Sequence, residues 1–299
     1  MTAGREISYL SCSKCRLQGY ILSIKNNIQL KTLGRQTARL VEALYDRSQT
    51  IFLLSDVEEI TGIRPALASS LIHKAVQRGL VTRLKGGLYS LVPAELGSIR
   101  EYTGDPYLLA RSLAGGSAYF VSHASAMEIH RMVTQPQLAM FVSSTKRIRQ
   151  RKVAGTEFRF VFLQPEHIFG TTTHWATKQQ SVVVSDLERT IIDGLRQPQY
   201  CGGVAEVAKG LWMRHQDMNT KKLIDYALRL GVGAVIRRLG YILELYTLAG
   251  ETELSALREP LTGSYVPLDP LLPREGVHLS RWRLQLNITA DELDRIRSN

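Results

Sequence analysis

The sequence predicts an α+β chain of two domains, and three observations predict it. Its 299 residues, 44% hydrophobic and 22% charged, exceed what one average domain needs and suffice for sizeable cores. Residues 35 to 95 carry helix, strand, helix, helix and hairpin patterns in that order. Beyond a connection rich in Pro, Gly and Ser, strands and helices mix over residues 96 to 299, the pattern of an α+β domain.

Residues 1 to 34 read as an N-terminal extension. They hold Cys12 and Cys15, a lone CxxC with no second pair at finger spacing, whereas a structural zinc site needs four ligands. The first domain opens with Leu40, Val41, Leu44 and Tyr45 at helical spacing, followed by the short strand pattern IFLLS. Ser55 with Glu58 has the spacing of a capping box, which starts a short second helix carrying Val57 and Ile60 inward. Gly62 supplies a left-handed stop, and Pro65 sits where a third helix tolerates it, in its first turn.

In that third helix Leu67, Leu71, Ile72, Ala75 and Val76 form the expected core face. Opposite lie Arg64, Ala66, Ser69, Ser70, His73, Lys74 and Gln77: small, polar or cationic, with no carboxylate. Small residues let a helix approach a DNA groove, hydroxyls and amides address base edges or phosphates, and acids would repel the backbone. The next residues, LVTRLKGGLYSLVP, read as strand, Gly-Gly turn and strand, with both turn positions expected at positive φ. This order is that of a winged helix-turn-helix over residues 35–95. Its wing would place Arg83 and Lys85 on phosphates, and Gly86 and Gly87 close to a backbone.

In the second domain, YFVSHASAMEIHRM is a strand running into a helix, and its His123 and His130 lack the HExxH arrangement of a metalloprotease, so both read as structural. LAMFVSS and TEFRFVFL are strands joined by a segment carrying Lys146, Arg147, Arg149, Arg151 and Lys152, a secondary basic patch suited to phosphate or RNA. SVVVSDLERTIIDGL joins a strand to a helix, with Ser185 and Glu188 at capping-box spacing and Asp186 and Glu188 as first-turn acids. With Asp193 these acids could suggest nuclease chemistry, but no nearby lysine completes such a motif, so no catalytic residue is expected. Helical segments follow, then a Pro-rich extended tail, the strand RWRLQLNI and a capping box from Thr289 and Glu292 before a terminal turn.

A net charge of +11 and a pI near 9.7 point to a polyanionic partner, nucleic acid before membrane, since no basic amphipathic helix with bulky aromatics is evident. No apolar run approaches a membrane span and the N-terminus has no secretory pattern, so a cytoplasmic protein without membrane partner is expected. Three scattered cysteines suit a reducing compartment. Neither cofactor nor metal is called for.

The runs VSDLERTIIDGL, QPQYCGGVAEVAKGL, VIRRLGYILE, VPLDP and WRLQLN, in that order, resemble the AbiEi family, antitoxins and transcriptional regulators of type IV toxin-antitoxin systems used in phage defence. The resemblance covers roughly residues 36 to 290. It implies a non-enzymatic autorepressor binding inverted repeats in duplex DNA ahead of its own operon. It also implies a C-terminal antitoxin domain that counters a nucleotidyltransferase-type toxin without a stable complex. The positions it carries over are Glu188, Arg189, Asp193, Tyr200, Gly202, Gly203, Arg238, Leu239, Gly240 and Tyr241, most of them with a structural role. Arg131 stands where that family often has glycine. Two rivals remain: a regulator whose second domain senses a small ligand, and a nucleic-acid enzyme targeted by a winged helix.

Overall fold

The computed structural model describes residues 33–298 except Ser98, Thr134, Pro136 and Ala154. Cys12, Cys15 and nearly all of the expected N-terminal extension lie outside the described residues. The fold is α+β, in two units that divide between Gly104 and Asp105.

In the first unit, α1 (Arg35–Asp46) buries Thr37, Leu40 and Leu44. Tyr45 stays partly exposed, its hydroxyl accepting from the Ala94 N–H. β1 (Ile51–Leu53) leads directly into α2 (Leu54–Thr61). The expected Ser55–Glu58 box does not form, because α2 begins at Leu54 and the Asp56 carboxylate takes the Leu53 N–H at 2.7 Å. Gly62 ends α2 at φ 69°, and Pro65 opens α3 (Pro65–Gln77). β2 (Val81–Lys85) and β3 (Leu88–Leu91) complete an antiparallel sheet of order β1-β3-β2, in which Phe52 stacks on its cross-strand partner Tyr89. The core gathers Leu40, Leu44, Phe52, Val57, Ile60, Ala68 and Ile72, each large side chain contributing about 1.5–3 kcal/mol by leaving water.

The expected connection after Pro93 belongs to this unit rather than lying free of it. The Tyr102 N–H donates to Thr82 Oγ1 at 2.8 Å, and Gly104 at φ 77° fits against Ile51, where an added Cβ would lie 3.1 Å from Cδ1.

The second unit starts with α4 (Pro106–Ala114), capped by the Asp105 carboxylate on the Tyr107 and Leu108 N–H groups. β4 (Tyr119–Val121) and α5 (His123–Ile129) follow, then β5 (Ala139–Ser144), β6 (Arg151–Val153), β7 (Thr156–Phe162), β8 (Thr171–Trp175) and β9 (Ser181–Ser185). These strands form a mixed sheet of order β6-β7-β5-β4-β9-β8. β5 and β7 run parallel, so the basic segment between them is a crossover that returns through β6. β6 and β8 were not legible as strands.

The helices α6 (Leu187–Arg196), α7 (Val204–Arg214), α8 (Thr220–Leu230), α9 (Gly233–Leu245) and α10 (Glu251–Arg258) share one core with a small sheet of β10 (Val266–Pro267), β12 (Leu284–Leu286) and β11 (Val277–Leu279). Trp282 is fully buried and lies so close to Gly240 that a Cβ there would stand 2.1 Å from its ring. α11 (Ala290–Ser298) begins with the expected box: Thr289 Oγ1 accepts from the Glu292 N–H, and Glu292 Oε2 accepts from the Thr289 N–H.

Candidate nucleic-acid interface

α3 presents a broad exposed surface, mostly polar and free of carboxylates. Arg64, Ala66, Ser69, Ser70, His73, Lys74 and Gln77 are all exposed, and no exposed residue of α3 is acidic. The amide of Gln77 and Nε2 of His73, one turn apart, lie 3.0 Å from each other and form a single polar group on this surface. Leu67 joins them: it is 59% exposed instead of belonging to the core face, where Ala68 takes its place beside Ile72 and Ala75. The 4,3 spacing of Ala68, Ile72 and Ala75 marks the buried side, and the size of Leu67 obscured it in the sequence. Two of the three acids of the neighbouring helix are engaged elsewhere, Asp56 on the Leu53 N–H and Glu59 in an exposed ion pair with Arg47, while Glu58 is half-buried.

The hairpin is braced at its tip. Gly87 O accepts from the Leu54 N–H at 3.0 Å, Lys85 pairs with Leu88, and the register shifts between Arg83 and Lys85. Only Gly87, at φ 75°, takes the left-handed conformation; Gly86 does not, so the turn needs one glycine where two were expected. Both glycines face open space within 4 Å, with Arg83 exposed and Lys85 half-buried beside them.

The basic segment of the second unit is exposed at Lys146, Arg147, Arg149 and Lys152, while Arg151 is half-buried in β6. Arg147 lies over the Phe162 ring at 4.3 Å, and Arg151 donates to Arg149 O at 3.3 Å. These contacts order part of the segment without neutralising it, leaving a cationic surface suited to phosphate.

The acids singled out for nuclease chemistry occupy a different setting from the expected one. Lys222, on α8, reaches Asp186 Oδ2 at 3.0 Å and Glu188 Oε2 at 2.9 Å, so a lysine does stand beside these carboxylates, distant in sequence. Every carboxylate oxygen of Asp186 and Glu188 is already used, however, whereas Asp193 pairs with Arg189 through Oδ1 and keeps Oδ2 buried without a partner among the described residues. Asp186 Oδ1 caps the Arg189 N–H, Oδ2 also accepts from the Tyr226 hydroxyl, and Glu188 Oε1 accepts from the Asn219 N–H. The expected Ser185–Glu188 box is therefore absent: Asp186 is the cap, and the Ser185 hydroxyl pairs with Thr190. Burial works to lower the Lys222 pKa, but the bonds and charges of Glu188 and Asp186 outweigh it and hold the ammonium above its ordinary value. A saturated cluster of this kind joins α6 to α8.

The remaining positions carried over by the family resemblance pack the interior. Arg189 is fully buried, paired with Asp193 at 2.9 Å, bonded to the carbonyls of His167 and Phe169, and 4.3 Å from the Phe169 ring centroid. Arg238 donates to the carbonyls of Leu268, Leu195 and Pro267, tying α9 to α6 and to the small sheet. Gly202 and Gly203, at φ 82° and 103°, form the entry to α7, whose Val204 N–H donates to Asp269. Leu239 and Tyr241 are core, and Tyr200 stacks edge-on against His123. Arg131 holds φ 57°, a conformation that favours glycine. His123 is enclosed with Nδ1 on the Ser122 hydroxyl, and His130 Nε2 contacts Ser185 O at 2.6 Å.

No known family profile matches this chain. No curated protein matches it in sequence. Among solved structures it is similar to the crystal structure of RV2827C protein from Mycobacterium tuberculosis, with a TM-score of 0.64 at 16% identity, over 90% of this chain and 97% of that one. At that identity the likeness is one of fold. No helix among the described residues is long and apolar enough to cross a membrane.

Proposed function

We propose that the chain is a DNA-binding transcriptional autorepressor and the antitoxin of a type IV toxin-antitoxin operon, acting in the cytoplasm. Its first unit is read as a winged helix-turn-helix in which α3 enters the major groove of duplex DNA and the β2–β3 hairpin is the wing. The observation that carries this reading is the exposed side of α3, cationic, hydroxyl-bearing and free of carboxylates, continuing to Arg83 and an open glycine tip. The antitoxin half is supported by the AbiEi-like runs of the second unit, whose partner in function would be a nucleotidyltransferase toxin without a stable complex.

Two measurements test the two halves. In the first, the full chain is titrated against a labelled duplex from upstream of its own reading frame and against a shuffled duplex, with tighter binding to its own sequence expected. Equal affinity for both would remove the repressor reading. In the second, the chain and a fragment starting at Asp105 are each co-expressed with the neighbouring toxin gene. Both should restore growth, and only the full chain should repress the promoter. A soluble fragment with native circular dichroism that fails to protect would show that protection needs the first unit.

A further inference from the structure

The two edges of the six-stranded sheet are built differently. β6 closes one side with Arg151 and Lys152, charges of the kind that keep another strand from pairing. β8 closes the other with Thr171, Thr172, Thr173, His174 and Trp175, which include no charged side chain and no proline, in regular register with β9. The Asp186 N–H donates to Gly170 O at 2.9 Å, which sets the phase of this ladder. Bonded pairs alternate along antiparallel strands, so Thr172 and His174 face β9, while the N–H and C=O groups of Thr171, Thr173 and Trp175 point off the sheet. Among the described residues no hydrogen bond reaches those groups. Thr171, Thr172, Thr173 and Trp175 are exposed, Trp175 at 64%, and Val183, the ladder partner of Thr173, extends the patch.

We propose that β8 pairs with β8 of a second copy of this chain, antiparallel about a two-fold axis at Thr173. In that register Thr173 exchanges both bonds with its own counterpart, and Thr171 exchanges both with the second copy's Trp175, so one strand satisfies all its outward groups on an identical partner. The strand carries no charge, so a copy sets no like charges together at this edge despite the chain's net +11, whereas an acidic or basic partner would find no opposite charge on it. A five-residue edge with one tryptophan falls short of the roughly 1,000 Å² of a stable interface, so the dimer is weak and concentration-dependent.

Sedimentation velocity of the full chain in reducing buffer, from micromolar to several hundred micromolar, tests this. The mass should rise from the 33.5 kDa monomer toward twice that value. Thr173→Lys, which sets two ammonium groups against each other on the axis, should stay monomeric throughout, and Thr173→Val should still dimerise. Under mild oxidation Thr173→Cys should give a cross-linked dimer that the wild type, with its own three cysteines, does not, since bonded pairs place Cα atoms about 5.5 Å apart, within disulfide reach. A wild type that is monomeric at every concentration, or a dimer undiminished by Thr173→Lys, would overturn the proposal.

Discussion

In the first unit Arg64, Lys74 and Arg83 stand in solvent on α3 and the hairpin, whereas in the second unit Arg189, Arg237 and Arg238 are buried among carbonyls, a carboxylate and aromatic rings. An exposed cation does little for stability, because water and salt screen it, and remains available to a phosphate. A buried guanidinium is unavailable to any partner and needs acceptors inside the fold, which fixes the elements that supply them. The runs that give the second unit its resemblance to a family are thus mostly scaffold. The candidate interface of the first unit carries no such run, only a composition.

The largest expected effect breaks the buried half of this comparison. Asp193→Ala would leave the Arg189 guanidinium enclosed without its carboxylate, a loss of about 3–5 kcal/mol. All three tryptophans, Trp175, Trp212 and Trp282, lie in the second unit, so fluorescence-monitored denaturation reports on that unit. Its midpoint should drop sharply in Asp193→Ala and stay at the wild-type value in Arg64→Ala. An unshifted midpoint in Asp193→Ala would show that the pair does not hold the core.

The next effect breaks the exposed half. Ser70→Glu places a carboxylate on the outward side of α3 and should weaken duplex binding by roughly tenfold or more, with denaturation unchanged. Gel-shift titration measures it. Undiminished affinity would take α3 out of the interface.

How far the sequence reaches follows the same division. Local rules with one competitor were readable: Gly62 as a left-handed stop, Pro65 in a first turn, and the Thr289–Glu292 box all stand where spacing puts them. Two other boxes failed in opposite directions. α2 begins earlier than spacing suggests, with Asp56 in its first turn accepting from the Leu53 N–H, whereas α6 begins later, with Asp186 itself as the cap on the Arg189 N–H. Long-range meetings were not readable at all. Nothing in the local pattern around Glu188 announces Lys222, and the alternation of β8 is masked by three consecutive threonines. The candidate interface was legible nearly whole, because exposure on a helix depends on period alone; Leu67 was misplaced because hydrophobicity was read in place of phase.

A smaller effect sharpens the assignment of the hairpin. Arg83 and Lys85 would meet phosphates, which carry no sequence information, so Arg83→Ala and Lys85→Ala should weaken binding to all duplexes alike. Each lost contact should reduce the log-log salt slope by about 0.9. Fluorescence anisotropy over a salt series checks this, and an unchanged slope in the double variant would leave the hairpin without a phosphate contact.

The smallest effect concerns protons and again separates the units. His123 has a pKa below the ordinary 6.5, first because burial disfavours imidazolium and only partly offset by the Asp193 charge. His130 is lowered for the same first reason, against its bond to Ser185 O. Below the ordinary value the unfolded chain therefore takes up protons that the folded chain refuses. Stability from these two groups is complete above pH 6.5 and declines as pH falls from there toward their folded values. The first unit has no enclosed histidine among its described residues, His73 being exposed on α3. Tryptophan-monitored denaturation should show a lower midpoint near pH 5.5 than near pH 7.5, and His130→Gln should flatten part of that difference. Hydrogen exchange resolved by segment should show the loss in α5 and β9 and not in α3. Equal loss in both units would mean that carboxylates spread over the whole chain, rather than two enclosed imidazoles, set its response to acid.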